Sequence, residues 1–113
     1  MFASPDQFLQ ELSSLKDEFF PDSRLETVYA RLDKVSLRLV MKKDLFIDLY
    51  FNAENGRFDF TLIHHQKRVF GYDNLKNWHC HPQANPEQHI ECNQPALRQI
   101  VQETAVVITS LPK

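Results

Sequence analysis

The sequence predicts an α+β fold, an antiparallel meander sheet of four or five strands with N- and C-terminal helices packed on one face. Three observations carry this reading. Apolar residues recur every three or four positions at both ends of the chain, they alternate with polar residues between Arg24 and Tyr72, and the stretch from Asp73 to Gln94 shows no period at all. A sheet with one apolar face must cover it, and two amphipathic helices are available to do so. At 113 residues, with 42% hydrophobic and 25% charged residues and nine Phe, one domain with one core is expected.

The first helix starts at Ser4, which caps it, with Pro5 at the first helical position and Gln7 placed to complete a capping box. Phe8, Leu9, Leu12, Leu15 and Phe19 then share one face, and the helix ends at Phe19 or Phe20, ahead of Pro21. In the strand region Val35, Leu37, Leu39 and Met41 alternate with polar partners, as do Leu45, Ile47, Leu49 and Phe51, then Phe58, Phe60 and Leu62, and a last strand covers about Lys67 to Tyr72. Lys42-Lys43 and Asn55-Gly56 supply turns, the second with the pair that favours a tight hairpin, and Gln66-Lys67 suggests another. The second helix is expected to start at Asn93 or Gln94 with Pro95 near its first position, and to bury Leu97, Ile100, Val101, Thr104, Ile108 and Leu111. The opposite face of the sheet should carry Arg38, Asp48, Tyr50, Arg57, Asp59 and His64 or its neighbours. Phe46 and Tyr50 make that face partly apolar, which suits a partner protein.

Charge and segment composition narrow the function. A formal charge of −2 and a pI near 6.2 give no global positive field, so RNA binding would need a local patch. No apolar run approaches the roughly 20 residues that cross a bilayer, and the first residues lack the pattern of a signal peptide, so a cytoplasmic address without membrane partners is expected. In that compartment the two cysteines read as free thiols or metal ligands rather than as a disulfide.

The chemistry concentrates in Trp78-His79-Cys80-His81-Pro82, followed by His89 and Cys92, which holds three of the five histidines and both cysteines. His79 and His81, one residue apart, point the same way in an extended segment. Two site chemistries follow. Neutral and protonated imidazoles can act as base and acid in metal-independent cleavage of an RNA backbone, with Arg38, Arg57 or Arg68 steadying the phosphate charge and Tyr72 or Trp78 stacking a base. Alternatively His79, His81, His89 and Cys92 can complete a four-coordinate zinc site. A third reading has no chemistry: the histidines are loop residues, Trp78 folds over the core, and Asp73 and Asn74 bond their own backbone to stop the last strand. The chain is then a protein-binding module.

Val69-Phe70-Gly71-Tyr72-Asp73-Asn74, then Trp78-His79-Cys80-His81-Pro82 and His89, resembles the TumE-type toxins of bacterial and archaeal toxin-antitoxin pairs. The likeness is a strand ending in Tyr-Asp-Asn, a His-x-His-Pro segment, a further histidine and a closing helix, across roughly residues 35 to 110. What the resemblance implies is a small growth-inhibiting protein acting through RNA, silenced by a helix-turn-helix antitoxin, with a homodimer as a further option. Carried across by position, the pattern points to Tyr72, Asp73, Asn74, His79, His81 and His89, with Arg38 a looser match.

Overall fold

The computed structural model describes residues 2–112 and bears out the α+β architecture. Its order is α1 (Pro5–Phe19), β1 (Arg24–Ala30), β2 (Lys34–Lys42), β3 (Leu45–Asn52), β4 (Phe58–His64), β5 (Lys67–Asp73), β6 (His79–His81), β7 (Ile90–Glu91) and α2 (Leu97–Ser110). The strands form one antiparallel meander in the order β1-β2-β3-β4-β5-β6-β7, so the sheet has seven strands where four or five were expected. The surplus comes from β6 and β7, three and two residues long, which are too short to show a period of two. None of the described helices is long and apolar enough to cross a membrane.

α1 begins as its sequence predicts. Ser4 Oγ accepts from the Gln7 amide at 3.2 Å, and Gln7 Oε1 accepts from the Ala3 amide at 2.6 Å, so the box closes one residue earlier than the usual pairing. Phe8, Leu12 and Leu15 are buried on the sheet. α2 starts later than expected, at Leu97 with Ala96 as an uncapped N-cap, and neither Asn93 nor Gln94 opens it. Pro95 is buried ahead of the helix, and Leu97, Ile100, Val101, Thr104 and Val107 make the buried stripe, with Ile108 and Leu111 at its margin.

The covered face of the sheet is Val35, Leu37 and Leu39 on β2, Leu45, Ile47, Leu49 and Phe51 on β3, Phe58, Phe60 and Leu62 on β4, and Phe70 and Tyr72 on β5. Phe8 sits between Phe51 and Phe58, with ring centroids 5.5 and 6.0 Å away. His64 follows the same alternation and is buried on the helix side, so it does not join the open face, whereas His65 is exposed. The β2–β3 turn is Lys43-Asp44, with Asp44 at φ 64°, and the β4–β5 turn is His65-Gln66, both at positive φ. The connection carrying Asn55-Gly56 is longer than a two-residue hairpin. Its residues 53–57 close through Asn52 N–H to Arg57 O at 2.9 Å and Gly56 N–H to Asn52 O at 2.8 Å.

A bulge positions the site. Leu62 pairs with Phe70 but Ile63 pairs with Arg68, leaving Val69 as an extra residue in β5. With Phe70 facing the helices, strict alternation would send Arg68 inward as well. The bulge turns it to the open face instead.

Candidate histidine–aspartate centre

Register places the centre at the β5–β6 junction. Asp73 pairs with His79, Tyr72 with Cys80 and Gly71 with His81, so alternation puts Asp73, His79 and His81 on the open face and Tyr72 and Cys80 on the helix side. Two turns, Asn85 N–H to Pro82 O at 3.1 Å and Gln88 N–H to Asn85 O at 2.9 Å, fold the chain back so that His89 meets the other two rings. Ring centroids are 5.6 Å apart for His79 and His81, 4.9 Å for His79 and His89, and 4.4 Å for His81 and His89. The three imidazoles therefore gather at one point, and one donor nitrogen from each lies within 4.8 Å of the others. Burial grades across them: His81 is buried, His79 half-buried and His89 exposed.

Asp73 organises the pair. Its Oδ1 is 3.0 Å from His79 Nε2 and its Oδ2 is 2.8 Å from His81 Nε2, while Oδ1 also accepts from the Leu75 amide at 3.0 Å. Asp73 thus ends its strand through its own backbone turn and holds both rings at once. Burial raises its carboxyl pKa, but the His81 hydrogen bond, the Leu75 amide and the nearby His79 and His81 charges together outweigh burial and hold it below the ordinary value.

The other ring nitrogens matter as much. His79 Nδ1 lies 2.7 Å from the Asn77 carbonyl oxygen, which only accepts, so Nδ1 carries a proton and Nε2 faces a second acceptor in Asp73. His81 Nδ1 lies 3.0 Å from the Pro86 carbonyl and 3.2 Å from Arg68 Nη1. It can donate to the first or accept from the second, not both, and the shorter contact is to the carbonyl. On His79 and His81 both ring nitrogens have partners, and among the three rings only His89 is exposed.

The remaining candidates divide clearly. Arg68 reaches the centre. Arg38 does not: it lies three strands away, about 14 Å at the usual strand spacing, bonded through Nε to Asp48 at 2.8 Å and over the Phe46 ring at 4.1 Å. Tyr72 faces the helices and donates to Glu103 at 2.5 Å, and burial followed by that hydrogen bond pushes its phenol far above the ordinary range. Asn74 bridges the Phe58 amide and the Gly56 carbonyl, both at 2.8 Å, a structural clasp on the β3–β4 connection. Trp78 packs on Phe58 with centroids 5.3 Å apart, over the core rather than towards a ligand. Cys92, named with the three histidines as a zinc set, is outside their group, and Glu103 acts on its charge as it does on that of Cys80. Sequence reasoning missed Glu103. A carboxylate on α2 gives no sign of its strand partner.

Beside the centre, the open face carries Arg38–Asp48 at 2.8 Å and Arg57–Asp59 at 3.3 Å, and a cavity of about 540 Å³ lined by Val28, Ser36, Arg38, Asp48, Tyr50 and Arg57 among others. Each of these two guanidiniums has a carboxylate partner, so this part of the face is polar without being cationic. Comparison with protein-family models, curated proteins and solved structures finds no match.

Proposed function

We propose that the chain is the toxin of a toxin-antitoxin pair and that it acts on RNA at the histidine–aspartate centre. The observation that supports this reading most is the convergence of His79, His81 and His89, three residues of one short segment, on the uncovered side of the sheet, with Asp73 bonded to the first two. Arg68 adds a cation at the same place, its Nη1 lying 3.2 Å from His81 Nδ1. The resemblance of Tyr72-Asp73-Asn74 and the His-x-His-Pro segment to TumE-type toxins points the same way and supplies the partner, a helix-turn-helix antitoxin. The test is cleavage of a mixed RNA substrate by the purified chain and by His79→Ala, His81→Ala and His89→Ala. Cleavage lowered at least tenfold in the variants is expected, and equal cleavage in all four proteins overturns the reading.

The second reading is a binding module, favoured by the cavity on the open face and by exposed Val28 and Leu32 at its β1 side. If the antitoxin docks there, Tyr50→Ala with Arg38→Glu weakens the complex and His89→Ala does not. If His89→Ala alone weakens it, the docking surface is the histidine centre.

A further inference from the structure

The geometry points to a site for a divalent transition-metal ion, formed by His79, His81 and His89 with Asp73 as the fourth ligand. It does not depend on the RNA reading.

The first argument is hydrogen-bond accounting. A histidine that ligates through Nε2 characteristically donates Nδ1–H to a main-chain carbonyl, which fixes both tautomer and ring orientation. His79 meets that condition at Asn77 O, 2.7 Å, and His81 at Pro86 O, 3.0 Å. Both Nε2 lone pairs then converge on one carboxylate, at 3.0 and 2.8 Å. An ion lying between the rings and Asp73 would be met by both lone pairs and by the carboxylate together.

The second argument is size. A tetrahedral ion with nitrogen ligands at about 2.0–2.1 Å requires ligand atoms roughly 3.3 Å from each other. Each Nε2 already lies near that spacing from one Asp73 oxygen, His79 from Oδ1 at 3.0 Å and His81 from Oδ2 at 2.8 Å. Asp73 lies outside the group made by the three histidines and must shift to ligate with them. The three histidine nitrogens lie within 4.8 Å, so the ring that must close in is that of exposed His89, which can turn without disturbing the core. Imidazole with one carboxylate suits zinc and its neighbours in the first transition row. Cys80 is excluded by alternation, because it sits on the helix side between the two ligating residues, and Cys92 lies outside the histidine group.

The test uses the full chain purified without a histidine tag, stripped with a chelator and titrated with Zn2+ against a competing dye, with circular dichroism confirming the fold of every protein. One equivalent is expected, with affinity at least tenfold weaker in His89→Ala and Asp73→Asn, and unchanged in Cys92→Ser. Co2+ in place of Zn2+ should give a tetrahedral visible spectrum without a thiolate charge-transfer band. Less than about a tenth of an equivalent, binding by folded His89→Ala equal to wild type, or loss of binding in Cys92→Ser overturns the site. RNA cleavage is measured on the stripped and loaded samples. One equivalent of metal with no cleavage retains the site and removes the nuclease, whereas cleavage by a chain that takes up no zinc does the reverse.

Discussion

His64 occupies a place that sheet alternation reserves for an apolar side chain. Burial first, then the charges of His65 and Lys42, hold its pKa below the ordinary value, with Asp44 opposing. Its protonated form is therefore favoured in the unfolded chain. The corresponding stability is complete above the unfolded value of about 6.5 and is lost as pH falls through the lower folded value. Urea midpoints at pH 7.5 and pH 5 should differ, and His64→Gln should narrow that difference; an unchanged gap in the variant would remove His64 as the cause. The thiols make a simpler case. Burial and then Glu103 raise both Cys80 and Cys92, so alkylation at pH 7 should be slower than for a small free thiol, and labelling at the free-thiol rate would contradict it.

The joints between strands depend on individual residues. Asn74 ties the end of β5 to the β3–β4 connection through two hydrogen bonds, and Asn74→Ala should cost about 1–2 kcal/mol in chemical denaturation. Gly71 runs so close to β4 that an added Cβ would lie 2.6 Å from the Phe60 carbonyl oxygen, a backbone atom with little room to move. Gly71→Ala should therefore destabilise the β4–β5 pair and, since Gly71 lies opposite His81, weaken metal binding as well. Side-chain periodicity revealed α1, α2 and the strands from β2 to β5, because each is long enough to show a repeat. β6 and β7 were hidden, since main-chain pairing alone defines strands of that length. The histidines were legible as residue types; the reach of Arg68 was not, because it depends on the Val69 bulge, and Arg38 looked equivalent until strand order separated them.

At the scale of the whole molecule the two faces divide the work. The helix side is a single core in which Phe8, Phe51, Phe58 and Phe60 are almost fully buried. Phe58 touches both Phe8 and Trp78, so Phe58→Ala should cost about 3–5 kcal/mol, a large share of the roughly 5–15 kcal/mol that holds a domain together. A smaller loss would mean that Trp78 collapses into the space. The open side holds the centre and the cavity, and polar substitutions at exposed His89 and around the cavity rim should leave the denaturation midpoint nearly unchanged, whereas those at buried His81 and Asp73 should lower it.

The meander also governs how the molecule comes to be made. Every strand bonds only to the strands before and after it in the chain, so the sheet can grow in step with synthesis, without waiting for distant partners. Half of its covering layer cannot. α2 follows all seven strands in the chain, and until it docks, the inner side of β5 meets water. A nascent chain halted before Leu97 is thus a finished sheet with an uncovered greasy flank, the form that chaperones and proteases would meet first.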